Sequence, residues 1–213
     1  MPHHAPPPAS SPPPEPLETG PDEAVLAFLE ARRSAPLRSL AAPGPTAEEL
    51  ARMLAIAARV PDHGRLVPWR FIVIEGDARR EAGERLDRLY AAQNPGLDPA
   101  KADMWTLYLM RAPTVVVLVS RSDPAAKVPE WNQQLSAGAA GMALTMAAAA
   151  MGFASQWLLK WPIRDAEAAA LLGIGRQERA AGMFHIGRPS LIAPDRARPA
   201  PESIVTRWSP GEA

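Results

Sequence analysis

Two stretches of the chain concentrate side chains with chemical capacity. The first is ARRSAP, residues 31–36, where Arg32, Arg33 and Ser34 stand in a row at the end of a helical pattern. Two guanidinium forks and a hydroxyl match the oxygens of a phosphate. The same arginines also complement the carbonyl end of a helix, and spacing alone leaves both readings open. The second is RVPDHGRLVPWRFIVIE, residues 59–75, a polar loop with Arg59, Asp62, His63 and Trp69 that opens into an apolar strand. A loop of this composition on a rigid scaffold is suited to present a site. Asp62 is suited to cap the turn beside His63.

Other chemistries fail on their own terms. The chain has 213 residues and no cysteine, which removes disulfides, thiolate catalysis and thiolate metal sites together. Only His63 and His185 lie outside the N-terminal tail, His185 within an apolar run where a hydrogen-bonded core residue is expected. No Ser-His-Asp set and no carboxylate pair stands out, so no catalytic side chain and no metal site are expected. GIGR, residues 173–176, imitates a dinucleotide loop, but it follows a helical pattern and reads as a helix end. With 23 basic and 23 acidic residues, nothing favours nucleic acid or an anionic membrane as a partner. An enzyme with this inventory would rely on a cofactor for its chemistry.

The elements that must carry these residues follow from pattern. Nine of the 25 prolines fall in residues 1–21, which read as a disordered tail preceding one domain over 22–213. A helix is expected from Pro21 to just before Pro36. A second, over 46–59, is opened by the Thr46-Ala-Glu-Glu49 capping box. Strands are expected at 69–75, 112–120, 152–157 and 180–186, the last ended by Gly187. Further helices are expected at 77–92, 99–110, 129–151 and 165–172. The run 135–154 is uncharged and long enough for a membrane span, but nine of its residues are alanine, and a closely packed buried helix fits better. PESIVTRW, near the C-terminus, reads as extended, with Ile204 and Val205 needing cover. Trp69 and Trp131 read as packing residues in the core or an interface. Without strict βαβ alternation, the fold class expected is α+β.

In order along the chain, Arg32-Arg33-Ser34, Arg59-x-Pro-Asp-His63, Pro68-Trp69-x-Phe71, KVPEWNQQLSAG at 127–138, Gly152-Phe153 with Trp157, and IGRP at 186–189 resemble the FMN-dependent nitroreductases. The likeness is to the small bacterial YdjA-type subgroup and covers residues 22–208. It implies a central mixed sheet flanked by helices in a cytoplasmic homodimer with exchanged C-terminal segments and FMN at the interface. NADH or NADPH would be the donor, and a small electron-poor acceptor, nitroaromatic or quinone-like, the substrate. By position, Arg32, Arg33 and Ser34 would hold FMN, with Arg59 and His63 touching the same flavin, His63 from the other subunit. Trp157, Leu158 and Leu159 would form a wall where the subgroup favours polar residues. Ala147, Ala148, Ala149, Ala150, Met151 and Gly152 would lie near the nicotinamide. The apolar Leu158-Leu159 pair admits another function, storage or sensing of flavin without turnover. A relative acting on flavin itself or on halogenated rings is a further alternative.

Overall fold

The computed structural model describes residues 20–191 and 193–210, so most of the proline-rich tail, with His3 and His4, lies outside the described residues. Helix α1, Glu23–Ala31, belongs to a unit separate from the one that begins at Arg32. Its first turn is capped by the Asp22 carboxylate, which accepts from the amides of Ala24 and Val25 at 3.1 Å each. None of its residues is buried.

The unit from Arg32 onward is built on a five-stranded sheet. Its strands are β1 (Leu40–Ala41), β2 (Trp69–Glu75), β3 (Thr114–Ser120), β4 (Ala154–Leu158) and β5 (Arg179–Pro189). Seven consecutive apolar or small residues make β3 buried on both faces. The eleven residues of β5 let one edge pair with β3 while the other pairs with β4 and then, at Arg188 and Pro189, with β1. Every described pairing is antiparallel, which corrects the expected mixed sheet. The reason lies in the connections: no described strand returns by a crossover to lie parallel to a neighbour.

Alternation along the strands divides the core in two. Val116, Leu118, Phe184 and Ile186 face α2 (Ala47–Ala57) and α5 (Glu130–Ala150). Val115, Val117, Val119 and Met183 face α3 (Ala78–Gln93), α4 (Met104–Met110) and α6 (Ala166–Leu171). Alanine is what lets α5 lie close to the sheet. Ala137, Ala140, Leu144, Ala147 and Ala148 are buried at helical spacing. At Gly141 a methyl would stand 2.9 Å from both the Phe184 and Trp157 rings. Among the described residues no helix is long and apolar enough to cross a membrane.

The expected ends hold at α2, where Thr46 and Glu49 cap reciprocally. They hold again after α6, where the amides of Gly173 (φ +85°) and Ile174 reach the carbonyls of Ala170 and Ala169. The GIGR motif is therefore a helix end. Four boundaries differ. The first helix, expected to run to just before Pro36, ends at Ala31. The helix expected over 99–110 is a 3-10 turn at Pro99–Lys101 followed by α4. Strand β4 starts at Ala154 because Gly152, at φ +74°, still belongs to the turn leaving α5. Strand β5 runs through Gly187, where a methyl would lie 2.8 Å from the Ala41 carbonyl oxygen; that glycine marks the close approach of β1, not a strand end. The C-terminal stretch holds a 3-10 turn at Pro201–Ser203 and leaves Ile204, Val205 and Trp208 exposed.

Candidate functional site

Arg32, Arg33 and Ser34 follow directly on the end of α1 at Ala31 and are the first residues of the main unit. The chain is anchored just beyond them, where the Ala35 amide donates to the Ser155 carbonyl of β4 at 3.2 Å. Arg32 Nη1 and Arg33 Nη1 are both buried and meet no hydrogen-bond partner among the described residues. A buried guanidinium N–H without an acceptor is costly, and an anion is the acceptor that would satisfy it best. Arg33 Nη2 lies 3.2 Å from Asp195 Oδ2.

Arg188 secures the turn between α5 and β4. Its Nη1 donates to the carbonyls of Gly152 at 2.9 Å and Met151 at 3.3 Å, and its guanidinium lies 3.7 Å from the centre of the Phe153 ring. Of the six residues expected near a nicotinamide, Ala147 and Ala148 are buried against the sheet, Ala149 and Met151 are half-buried, and Ala150 and Gly152 reach the surface. Along β4, Trp157 lays its indole across Gly182 and donates from Nε1 to the Ala181 carbonyl at 3.0 Å. Leu158 is half-buried, while Leu159 is 56% exposed. These residues make an apolar wall with its polar groups internally satisfied.

His63 and Arg59 lie elsewhere. The loop after α2 holds four consecutive or near-consecutive positive φ values, His63 at 58°, Gly64 at 72°, Arg65 at 70° and Val67 at 46°. Asp62 organises it: its carboxylate accepts from the Arg65 amide at 3.1 Å and its carbonyl accepts from Leu66 and Val67. His63 Nε2 stands 2.9 Å from the Asn132 carbonyl, so that nitrogen carries a proton and donates. Ser136 donates to the Pro61 carbonyl. His63 borders a mostly apolar hollow of about 230 Å³ with Leu135 and Ala139 of α5, while Arg59 is exposed.

His63 therefore sits at the first turn of α5, while Arg32–Ser34 and Gly152 sit beyond its last. The 21 residues of α5 span about 30 Å, so one chain does not bring the two groups to one small molecule. The expected residues Arg32, Arg33, Ser34 and Trp157–Leu159 lie on or beside β4; Arg59 and His63 lie apart from them, at and after the end of α2. Sequence reasoning missed Arg188, Asp195 and Gly182. Arg188 lay within the noted IGRP motif, but nothing in the sequence told its role.

His185 is fully buried on β5 opposite Gln156. Its Nε2 donates to the Tyr108 carbonyl at 3.2 Å, as expected of a core histidine, and burial pulls its pKa down to about 4. At the far end of the sheet, hydrogen bonds from Arg70 hold the Glu178 carboxyl at about 2.

The comparisons with known proteins agree with this architecture. The sequence model of the nitroreductase family matches residues 29–188. A protein of Escherichia coli strain K12 named "Putative NAD(P)H nitroreductase YdjA" is 35% identical over 182 residues, covering 85% of this chain and 97% of the relative. A Haemophilus influenzae protein named "Putative NAD(P)H nitroreductase" is 37% identical over 166 residues, 76% of this chain and 86% of its own. Among solved structures, a nitroreductase-like family protein from Bacillus cereus superposes with a TM-score of 0.74 at 16% identity, covering 91% of this chain and 99% of its own. A nitroreductase with bound FMN from Bacteroides fragilis does so at 0.63 and 22% identity, covering 87% and 98%. The chain belongs to the nitroreductase family.

Proposed function

We propose that this protein is an FMN-dependent oxidoreductase that uses NADH or NADPH to reduce small electron-poor acceptors, nitroaromatic or quinone-like. The observation that carries the reading is the pair of buried, unpartnered Nη1 atoms on Arg32 and Arg33. Their chemistry fits the phosphate of FMN, with Ser34 beside them. When bound, FMN supplies the hydride chemistry, taking electrons from the nicotinamide and passing them to the acceptor. The chain's own residues bind, orient and exclude water. Arg32 and Arg33 hold the phosphate, and Trp157, Leu158 and Leu159 form the wall beside the ring. The surface at Ala149–Gly152, held by Arg188, offers backbone and small side chains to a flat nicotinamide, while Ala147 and Ala148 support it from below.

The site is complete only in a homodimer. Trp131, Leu135 and Met142 are exposed at 66%, 53% and 38% on one face of α5, and Gly138 between them has nothing within 4 Å of an added methyl. Pairing this face with the same face of a second copy, the two helices antiparallel, carries the His63 end of one toward the Arg32 end of the other. Ile204, Val205 and Trp208 would be covered by exchange onto the partner. Arg59 and His63 then reach the partner's flavin. Its dependence on a nicotinamide donor favours a cytoplasmic protein.

The test is to add FMN to apoprotein and then NADH or NADPH without oxygen. The expected result is a bound flavin spectrum that bleaches with donor and returns when a nitroaromatic or quinone is added. Protein that binds no FMN at saturating ligand overturns the proposal. The exposed Leu159 in the flavin wall favours a second reading, storage or sensing of flavin without turnover. That reading stands if FMN binds and neither donor bleaches it.

A further inference from the structure

We propose that Asp195 is a positioning residue for the cofactor phosphate: it fixes the Arg33 guanidinium so that Nη1 faces the anion, a role that rests on the flavin reading above. Asp195 lies in the stretch after β5 that has no regular structure, far from Arg33 in sequence. Its carboxylate is nevertheless held on both oxygens. Oδ1 accepts from the Arg196 amide at 2.8 Å and lies 3.6 Å from Arg198 Nη2, while Oδ2 lies 3.2 Å from Arg33 Nη2. A guanidinium is planar and rigid, so fixing Nη2 also sets the direction of Nη1. In Arg33 that second nitrogen is buried and without an acceptor among the described residues. One half of the fork is thus committed to the protein and the other is left for a ligand.

Charge supports the same assignment. Arg33 and Arg198 against Asp195 leave a surplus of one positive charge, and Arg32, the residue before Arg33, adds a second. A phosphomonoester carries roughly −1.5 to −2 near neutral pH. The carboxylate also repels the phosphate, and the question is which effect wins. Asp195 is 53% exposed, so its repulsion is screened by water and salt. The Arg33 Nη1 contact is buried and unscreened. An arginine left to itself would have to give up its rotamer freedom on binding. Positioning therefore outweighs repulsion, and the sign of the effect is testable.

The experiment titrates apoprotein with FMN and separately with riboflavin, following flavin fluorescence, for the wild type, Asp195→Asn, Arg33→Met and the double variant. Asp195→Asn should weaken FMN about tenfold or more, the scale of one charge-assisted hydrogen bond, and leave riboflavin within about twofold. In the Arg33→Met background the same change should have almost no effect, and Asp195→Glu should restore much of the loss. FMN affinity that is unchanged or tighter in Asp195→Asn overturns the proposal, as does equal weakening of both flavins. Wild-type protein that binds neither flavin overturns the flavin reading itself, and the role of Asp195 with it.

Discussion

Gly182→Ala places a methyl where the Trp157 indole already is. A methyl on Gly182 would stand 1.9 Å from Trp157 Nε1 and 2.3 Å from Cδ1. The ring cannot move deeper, because its far edge is seated on Gly141, where a methyl would be 2.9 Å away, and against Phe184 at 4.8 Å between centroids. The indole must swing outward. It then loses the hydrogen bond to the Ala181 carbonyl, worth about 1 kcal/mol, and the ring pair with Phe184, worth about 1 kcal/mol. Adding lost burial, the expected destabilisation is about 2–3 kcal/mol, or roughly 5–10 °C in Tm for a domain of this size. Thermal and urea unfolding read the stability, and a red-shifted tryptophan emission reads the displaced ring. In a Trp157→Ala background the new methyl meets no indole, so the second substitution should cost below about 0.5 kcal/mol. A Gly182→Ala protein within 2 °C of wild type, or an equal loss in both backgrounds, refutes the packing argument. Lost stability with unaltered FMN affinity refutes the place of Trp157 in the flavin wall.

Arg32→Ala should weaken FMN by about tenfold or more while leaving riboflavin nearly unchanged, since the lost partner is a phosphate; equal weakening, read by fluorescence titration, contradicts the assignment. His63→Ala should retain measurable NAD(P)H oxidation at saturating FMN, with losses up to about a hundredfold confined to flavin affinity or acceptor reduction in steady-state assays; unchanged affinity and turnover with several acceptors would make His63 a loop residue only. Acid should destabilise the fold in two windows, read as urea midpoints. His185 is neutral in the fold down to about 4 but takes a proton near 6.5 when unfolded, so stability falls as pH drops through that interval, by on the order of 3 kcal/mol in full. Glu178 is ionised in the fold down to about 2 against 4.5 unfolded, which removes on the order of 1 kcal/mol more between those values, after allowing for solvent around the Arg70 pair. A midpoint that is flat between pH 7 and 5, or one that falls as steeply in His185→Gln, contradicts the first part.

What could be read from the sequence was whatever has a local cause. Thr46 and Glu49 are three residues apart, and the capping box follows from that spacing alone. The β-branched run of β3 and the small-residue faces of α5 announce buried elements in the same way. The misses need partners distant in sequence. Leu40–Ala41 is a strand only because Arg188 and Pro189 pair with it. Gly187 looked like a stop because its cause, the Ala41 carbonyl, is about 150 residues away along the chain. Asp195 gains its place from Arg33, and Gly182 from Trp157, neither of which any periodicity could indicate. The expected site residues were legible as residue types, but their division between the two ends of α5 was not, since it depends on how the helix lies on the sheet.

That division gives the loop after α2 its meaning. His63, Arg65 and Val67 hold left-handed backbone that non-glycine residues avoid, and such positions cost on the order of 1–3 kcal/mol each. The loop bears this because it is fixed at several points: Asp62 within it, Asn132 and Ser136 on α5, and Arg121, which donates to the Val67 carbonyl at 3.1 Å. A corner that only joined α2 to β2 could relax into ordinary turns with glycine or asparagine at these positions. Val67 is the telling case, because a β-branched residue at φ 46° gains nothing locally. The strain is maintained by contacts on both sides of His63, whose own ring nitrogen Nε2 donates to the Asn132 carbonyl at the start of α5. On the proposed reading, an imidazole fixed here would not reach a flavin held beside Arg32 of the same chain, about 30 Å away along α5. It would instead meet the flavin of a second copy, if the α5 faces pair as proposed.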